Sequence, residues 1–166
     1  MMEELYPHNK KVYNMALSYF RETNKVAIIQ ATGTGKGFLA GAFVNIAFRN
    51  SRVLILAPNN DIKINYENNI GLKNNNRIKI ETYPGLLSLY KSNKSEFLRG
   101  AKNIDLLIVD EFHRLGAEKW GMVVKELIDI VVSNNRYVLG LTATPVRYND
   151  NSILLNSEHG LFLLEK

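Results

Sequence analysis

Apolar residues along this chain fall into two patterns that alternate. Short unbroken runs are followed by stretches in which apolar residues recur every three or four positions. The runs lie at about 26–30 (Val26-Ala27-Ile28-Ile29), 52–57 (Val53-Leu54-Ile55-Leu56-Ala57, stopped by Pro58), 104–109 (apolar except for Asp105) and 136–141. Runs with no polar face are strands covered on both sides, as in parallel sheets. Arg77 to Thr82 alternates and reads as a further strand after the polar turn at 73–76. Helical spacing appears at 9–22, through Val12, Met15, Ala16, Tyr19 and Phe20, and again at about 36–49 and 61–70, the last closed by Gly71. Residues 85–99 predict one or two short helices. Residues 117–132 predict an amphipathic helix with Val123, Val124, Leu127, Ile130 and Val131 on one face. Gly160 to Leu164 is a candidate closing strand. The alternation predicts an α/β fold, a mainly parallel sheet with helices on both faces.

Such sheets bind ligands beyond the carboxyl ends of their strands. Three polar segments fall there. The first is Ala31-Thr32-Gly33-Thr34-Gly35-Lys36-Gly37, between the first strand and its helix. Its glycines let successive backbone N–H groups turn inward on a phosphate, and the helix N-terminus adds partial positive charge. Lys36 would reach the β- and γ-phosphates of a nucleotide. Asp110-Glu111 ends the 104–109 strand about 75 residues later, and Thr142-Ala143-Thr144 ends the 136–141 strand. A first carboxylate in such a place can hold Mg²⁺ through a water, and a second can orient and deprotonate an attacking water. One position departs from the pattern: loops of this kind carry Ser or Thr after Gly-Lys, whose hydroxyl binds Mg²⁺, and here the residue is Gly37.

Composition narrows the picture further. The length of 166 residues suits one domain with a core. No cysteine is present, which excludes disulfides and Cys-ligated metals. The net charge of +5 divides unevenly, with 14 Lys+Arg against 7 Asp+Glu in residues 1–100 and 7 against 9 in 101–166. A basic first part suits a polyanionic partner. The N-terminal residues lack the regions of a signal peptide. The longest nearly apolar stretch, Phe38 to Phe48, is 11 residues long and includes Asn45, so no membrane span is expected and the expected location is the cytoplasm. The Asn residues read as turn formers, and Phe38, Phe43, Phe48 and Tyr137 as core. Trp120 reads as packed on its helix, without a role.

Ala31 to Lys36, Asp110-Glu111-Phe112-His113 and Leu141-Thr142-Ala143-Thr144-Pro145 resemble motifs I, II and III of superfamily 2 helicases. The nearest resemblance is to the DEAD/DEAH-type group close to the ATPase subunits of restriction enzymes. The motifs occur in the family's order and spacing over residues 5–148. The resemblance implies a RecA-like P-loop NTPase domain at 1–148, with 149–166 an extension or the start of a linker. It implies ATP and Mg²⁺ as ligands, held by Thr32, Gly33, Thr34, Gly35, Lys36 and Gly37, with Lys36, Asp110 and Glu111 catalytic and Asp110 on the metal. Asn9, in Tyr6-Pro7-His8-Asn9, stands near the family's adenine-reading Gln; it equally suits a helix N-cap. His113, Thr142 and Thr144 would couple the ATP site to motif III. Pro58 and Asn59 resemble motif Ia, and Thr82 and Tyr83 motif Ib, loops that touch a nucleic-acid backbone in the family; as turn residues they also need no such role.

The function expected from the resemblance is ATP hydrolysis coupled to movement on nucleic acid, with DNA favoured over RNA. A second RecA-like domain that supplies arginine fingers is expected beyond this chain, and a nuclease or methylase partner is compatible with the family. Without that domain the chain should bind ATP weakly and hydrolyse it hardly at all. Gly37 predicts slow hydrolysis compared with relatives, and Gly37→Thr is expected to speed it. The other reading is a nucleotide-dependent module that binds nucleic acid without hydrolysis, acting as a clamp or a partner subunit. A P-loop enzyme acting on small molecules is disfavoured by the Thr-Ala-Thr-Pro segment.

Overall fold

The computed structural model describes residues 5–30, 33–73, 75–112 and 119–143, together with the backbone of a strand at 162–165. Elements in chain order are α1 (Pro7–Phe20), β1 (Lys25–Ile29), α2 (Lys36–Ala42), β2 (Val53–Ala57), α3 (Asn60–Ile64), β3 (Ile78–Thr82), α4 (Tyr83–Ser92), α5 (Lys94–Lys102), β4 (Leu106–Asp110), α6 (Gly121–Ser133), β5 (Tyr137–Thr142) and β6 (Phe162–Glu165). All strand pairs are parallel, in the order β3-β2-β4-β5-β1-β6. The expected closing strand is therefore present as β6, beside β1.

The apolar runs form the sheet because both of their faces are covered. Val26, Ile28, Val53, Ile55, Leu106, Ile108, Leu139 and Leu141 point to a core shared with α1, α2 and the residues after α3. Their neighbours Ala27, Leu54, Leu56, Leu107, Val109 and Val138 point to a second core under α4, α5 and α6. Period-two alternation splits each run between two hydrophobic layers, each core residue contributing about 1.5–3 kcal/mol on burial.

The helices depart from the sequence expectations in instructive places. The predicted helix at 36–49 widens after α2 into a turn at Phe43–Ala47, closed by the Phe48 N–H on Phe43 O. The predicted helix at 61–70 divides likewise into α3 and a wider turn at Asn65–Asn69, closed by Ile70 N–H on Asn65 O at 3.1 Å. Such turns insert a residue into the helical spacing and re-aim side chains. Phe38 is not core: it is 42% exposed on α2, while Phe43 is fully buried. Trp120 does not pack on its own helix alone; its ring stacks on Tyr83 with centroids 4.4 Å apart. On α6, Ile128 is buried and Ile130 only partly so.

Candidate nucleotide site

β1 is separated from β2 by β5 and β4, so the connection that begins with the glycine loop crosses two strand positions of the parallel sheet. Register levels the candidate residues: Asp110 lies opposite Leu141, while Ile28 and Ile29 lie opposite Leu141 and Thr142. The ends of β4, β5 and β1 thus form one shelf, with the glycine loop rising from the last of them.

Gly33 and Gly35 have φ of 80° and 84°, a left-handed backbone that side chains disfavour. This conformation turns backbone N–H groups to one side, as an anion cradle requires. The loop is tied to α1 and to the residue before it. Asn9 Nδ2 donates to Thr34 O at 2.6 Å, and His8 Nε2 donates to the same carbonyl at 3.0 Å. Gln30 Nε2 donates to Asn9 Oδ1 at 2.9 Å, and the Gln30 N–H donates to Thr142 O. Lys36 Nζ donates to Gln30 O at 3.2 Å. Asn9 is 1% exposed. It does not cap α1, whose N-cap is Tyr6 without a side-chain bond, and both ends of its amide are engaged by the loop and its strand. His8 and Gln30 were not singled out in the sequence. The signal for Gln30 was a polar residue closing an otherwise apolar run.

On the other side of the shelf, Asp110 is 8% exposed. Its Oδ2 accepts from the Tyr66 hydroxyl at 2.9 Å, and its Oδ1 accepts from the Glu111 N–H at 2.9 Å. Burial pushes its carboxyl up to about 6; the Tyr66 bond and the Lys36 charge pull the other way, and the Glu111 charge adds to the rise. Burial also holds the Tyr66 phenol well above its ordinary value, with the Asp110 charge reinforcing it. Glu111 has φ of 55°, a conformation unusual for a residue with a side chain and concentrated at functional sites. The Tyr83 hydroxyl donates to Asp110 O, and Phe112 packs over Gly140 of β5. Neither Tyr66 nor this use of Tyr83 was anticipated from the sequence.

Lys36, Gly33, Thr34, Gly35, Gly37 and Asn9 therefore gather at one end of the shelf, with Asp110, Glu111 and Thr142 along it. Thr32, His113 and Thr144 lie outside the described residues. Asn59 is exposed and caps α3, its side chain accepting from the Ile62 N–H at 3.0 Å. The Thr82 hydroxyl caps α4 by accepting from the Gly85 N–H at 3.1 Å. Tyr83, proposed for nucleic-acid contact, has a fully buried side chain, so only its backbone faces that role.

The donor set fits a hard divalent ion sharing a phosphate. Among the described residues no three His, Cys, Asp or Glu side chains gather as a cage. Mg²⁺ commonly takes one or two carboxylates and completes its shell with water and phosphate oxygens. No helix among the described residues is long and apolar enough to cross a membrane.

Comparison with known proteins bears on the family and the fold. The family model described as type III restriction enzyme, res subunit, matches residues 2–71 and 63–147. No curated protein matches the chain. Among solved structures, a nuclease-deletion mutant of the Type ISP restriction-modification enzyme LlaGI, in complex with a DNA substrate mimic, superposes with a TM-score of 0.68 at 17% identity over 97% of this chain. The helicase domain of Pyrococcus furiosus Hef gives 0.67 at 16% identity over 95%. AMPPCP-bound DnaA from Aquifex aeolicus gives 0.63 at 22% identity over 94%. The chain spans 20%, 37% and 44% of these three structures' chains. At such identities the likeness speaks for the fold, a RecA-like α/β domain.

Proposed function

The chain belongs to the family of type III restriction enzyme res subunits, a helicase-like ATPase group, and from that premise we propose that it is the ATP-binding domain of a nucleic-acid translocase or helicase. The observation that carries the reading is the shelf: Lys36 on its glycine loop and the Asp110–Glu111 pair stand at the carboxyl ends of strands joined in register through β5. In this reading the N–H groups of Gly33 to Gly37 cradle the phosphates and Lys36 binds the β- and γ-oxygens. Asp110 holds Mg²⁺ through a water, and Glu111 orients the attacking water. When bound, Mg²⁺ would neutralise charge developing on the transferring phosphoryl group. The hydrogen bond from Gln30 to Asn9 and those from Asn9 and His8 to Thr34 hold the loop in shape before nucleotide arrives. Asn9 acts there as a brace, which supports the structural use of its amide over direct reading of adenine.

Thr142, level with Ile29, would relay the state of the pocket along β5, together with Thr144 and with His113 beyond β4. Pro58 and Asn59 follow β2, and Thr82 and Tyr83 end β3 and open α4, at the same carboxyl edge of the sheet. They would meet the backbone of a DNA strand through helix N-termini, contacts that position without reading sequence. A second RecA-like domain would complete the site with arginine fingers, for which related systems give roughly 10³–10⁵ in rate. A reading without hydrolysis draws on Gly37 alone.

Calorimetric titration of the chain with ATP in Mg²⁺ tests the proposal. Lys36→Ala should weaken binding by about 10–100-fold, the worth of a charge-assisted hydrogen bond. Equal affinity in the two chains would exclude the loop as the phosphate site. Single-stranded DNA that raises ATP turnover favours the translocase, whereas binding of both ligands with no turnover in the intact protein favours the clamp.

A further inference from the structure

Gly37 and Asp110 are bridged by one segment of the chain. A Cβ added at Gly37 would lie 3.3 Å from Ile70 Cδ1 and 3.7 Å from Asn65 Nδ2. The Cβ of any residue larger than glycine at position 37 would thus pack against the wider turn and Ile70. The neighbour of Asn65 on that turn is Tyr66, 1% exposed, whose hydroxyl reaches Asp110 Oδ2. Asn65 therefore faces the phosphate loop while Tyr66 faces the carboxylate at the end of β4. The close approach of Ile70 is compatible with glycine at 37; any larger residue requires the Ile70 methyl to give by a few tenths of an ångström.

We propose that Tyr66 is a positioning residue for the metal side of the nucleotide pocket: it fixes Asp110 and so offsets the hydroxyl absent at position 37. The inference rests on the ATP-binding reading above. Mg²⁺ demands near-octahedral geometry. A protein that contributes no hydroxyl ligand must order the remaining shell by other means. The terminal torsion of an Asp side chain is broad and two-fold, so an unheld carboxylate turns easily. Here both oxygens are held, Oδ2 by the Tyr66 hydroxyl and Oδ1 by the Glu111 N–H. Each oxygen keeps a further lone pair for a metal-bound water. Partners that orient a metal-binding group are commonly worth 10–100-fold in metal affinity.

The test compares four chains: native, Tyr66→Phe, Gly37→Ser and the double variant. For each, the dissociation constant of ATP is measured with Mg²⁺ and with a chelator, and unliganded melting is recorded. In the native chain Mg²⁺ tightens ATP. Tyr66→Phe should lose about tenfold of that tightening while affinity in chelator stays within about twofold. Gly37→Ser alone should change the Mg²⁺ effect by less than about threefold, because Asp110 is already held. Added to Tyr66→Phe, it should recover most of the loss, and Gly37→Ala in the same background should recover none. An unchanged Mg²⁺ effect in Tyr66→Phe overturns the proposal. So does a gain of tenfold or more from Gly37→Ser alone, which needs no folded Tyr66→Phe chain to be read. Absence of ATP binding by the native chain would overturn the nucleotide reading itself, and this inference with it.

Discussion

Two aspartates five residues apart sit at opposite ends of the β4 segment, and their surroundings treat them in opposite ways. Asp105, just before the strand, accepts from the Arg52 N–H at 2.8 Å and is paired with the guanidinium groups of Arg52 and Arg136 at 3.4 and 3.6 Å. Partial burial pushes its carboxyl up, but the Arg52 hydrogen bonds and the two positive charges outweigh this and leave it below its ordinary value. Asp110, at the other end, is buried with no arginine beside it among the described residues, and rises to about 6. One carboxylate has its counter-charge built into the fold. The other keeps a charge that folding makes costly and that a cation would relieve. The difference is the one that the proposed site at the carboxyl end of the sheet, and scaffolding at the amino end, would produce.

The comparison can be broken most decisively at Asp110. A rise from 3.8 to about 6 means that the folded chain holds a proton on this group between those pH values while the unfolded chain does not. Stability from this group is therefore largest below about pH 4 and falls as pH rises through about 6, by a ceiling of ~3 kcal/mol. Asp110→Asn should abolish the Mg²⁺-dependent part of ATP binding. It should also stabilise the unliganded chain by about 1–2 kcal/mol at pH 7 and by almost nothing at pH 4, since an amide cannot satisfy both present donors. Denaturant melts at the two pH values check this; destabilisation at pH 7 would mean that Asp110 is structural after all.

A second change strains the functional end without touching its charge. A Cβ at Gly140 would come within 2.8 Å of the Phe112 ring, which follows Glu111 directly. Gly140→Ala should cost about 1–3 kcal/mol by overpacking and should weaken ATP binding in Mg²⁺ more than in chelator. Equal weakening in both conditions would separate Phe112 from the placement of the carboxylates.

The smallest effect belongs to Asp105. Its contribution is present above its unfolded value near 4 and lost as pH falls through its lower folded value. Asp105→Asn should cost less than about 1 kcal/mol at pH 7, shrink in high salt and leave ATP binding unchanged. A change in ATP affinity from this distant substitution would remove the contrast between the two ends.

The strands were legible because runs such as Val53 to Ala57 can be buried on both faces only in a covered parallel sheet. The loop and the carboxylate pair were legible because their chemistry is written in adjacent residues. What escaped notice depends on contacts between distant segments. Tyr66 sits in an Asn-rich stretch that read as helix and turn, and its partner lies 44 residues away. Among the Asn residues, Asn59 caps a helix, whereas the brace formed by Asn9, buried against the loop, and the cover that Asn65 gives Gly37 both depend on segments distant in sequence. Phe38 misled for a related reason, since helical spacing fixes a face but not which neighbour covers it. The division of the 61–70 helix had no local signal, because the wider turn is set by what Tyr66 and Ile70 reach.

The left-handed backbone at Glu111 bears on how its chemistry can be interrogated. Alanine there would delete the carboxylate and retain the conformational penalty, whereas glycine would delete it and relax the chain, so the two truncations are not equivalent probes. Glutamine leaves the torsional cost as it was and alters only the acid, so a loss of turnover from that exchange alone would speak for the proposed role of Glu111 as base.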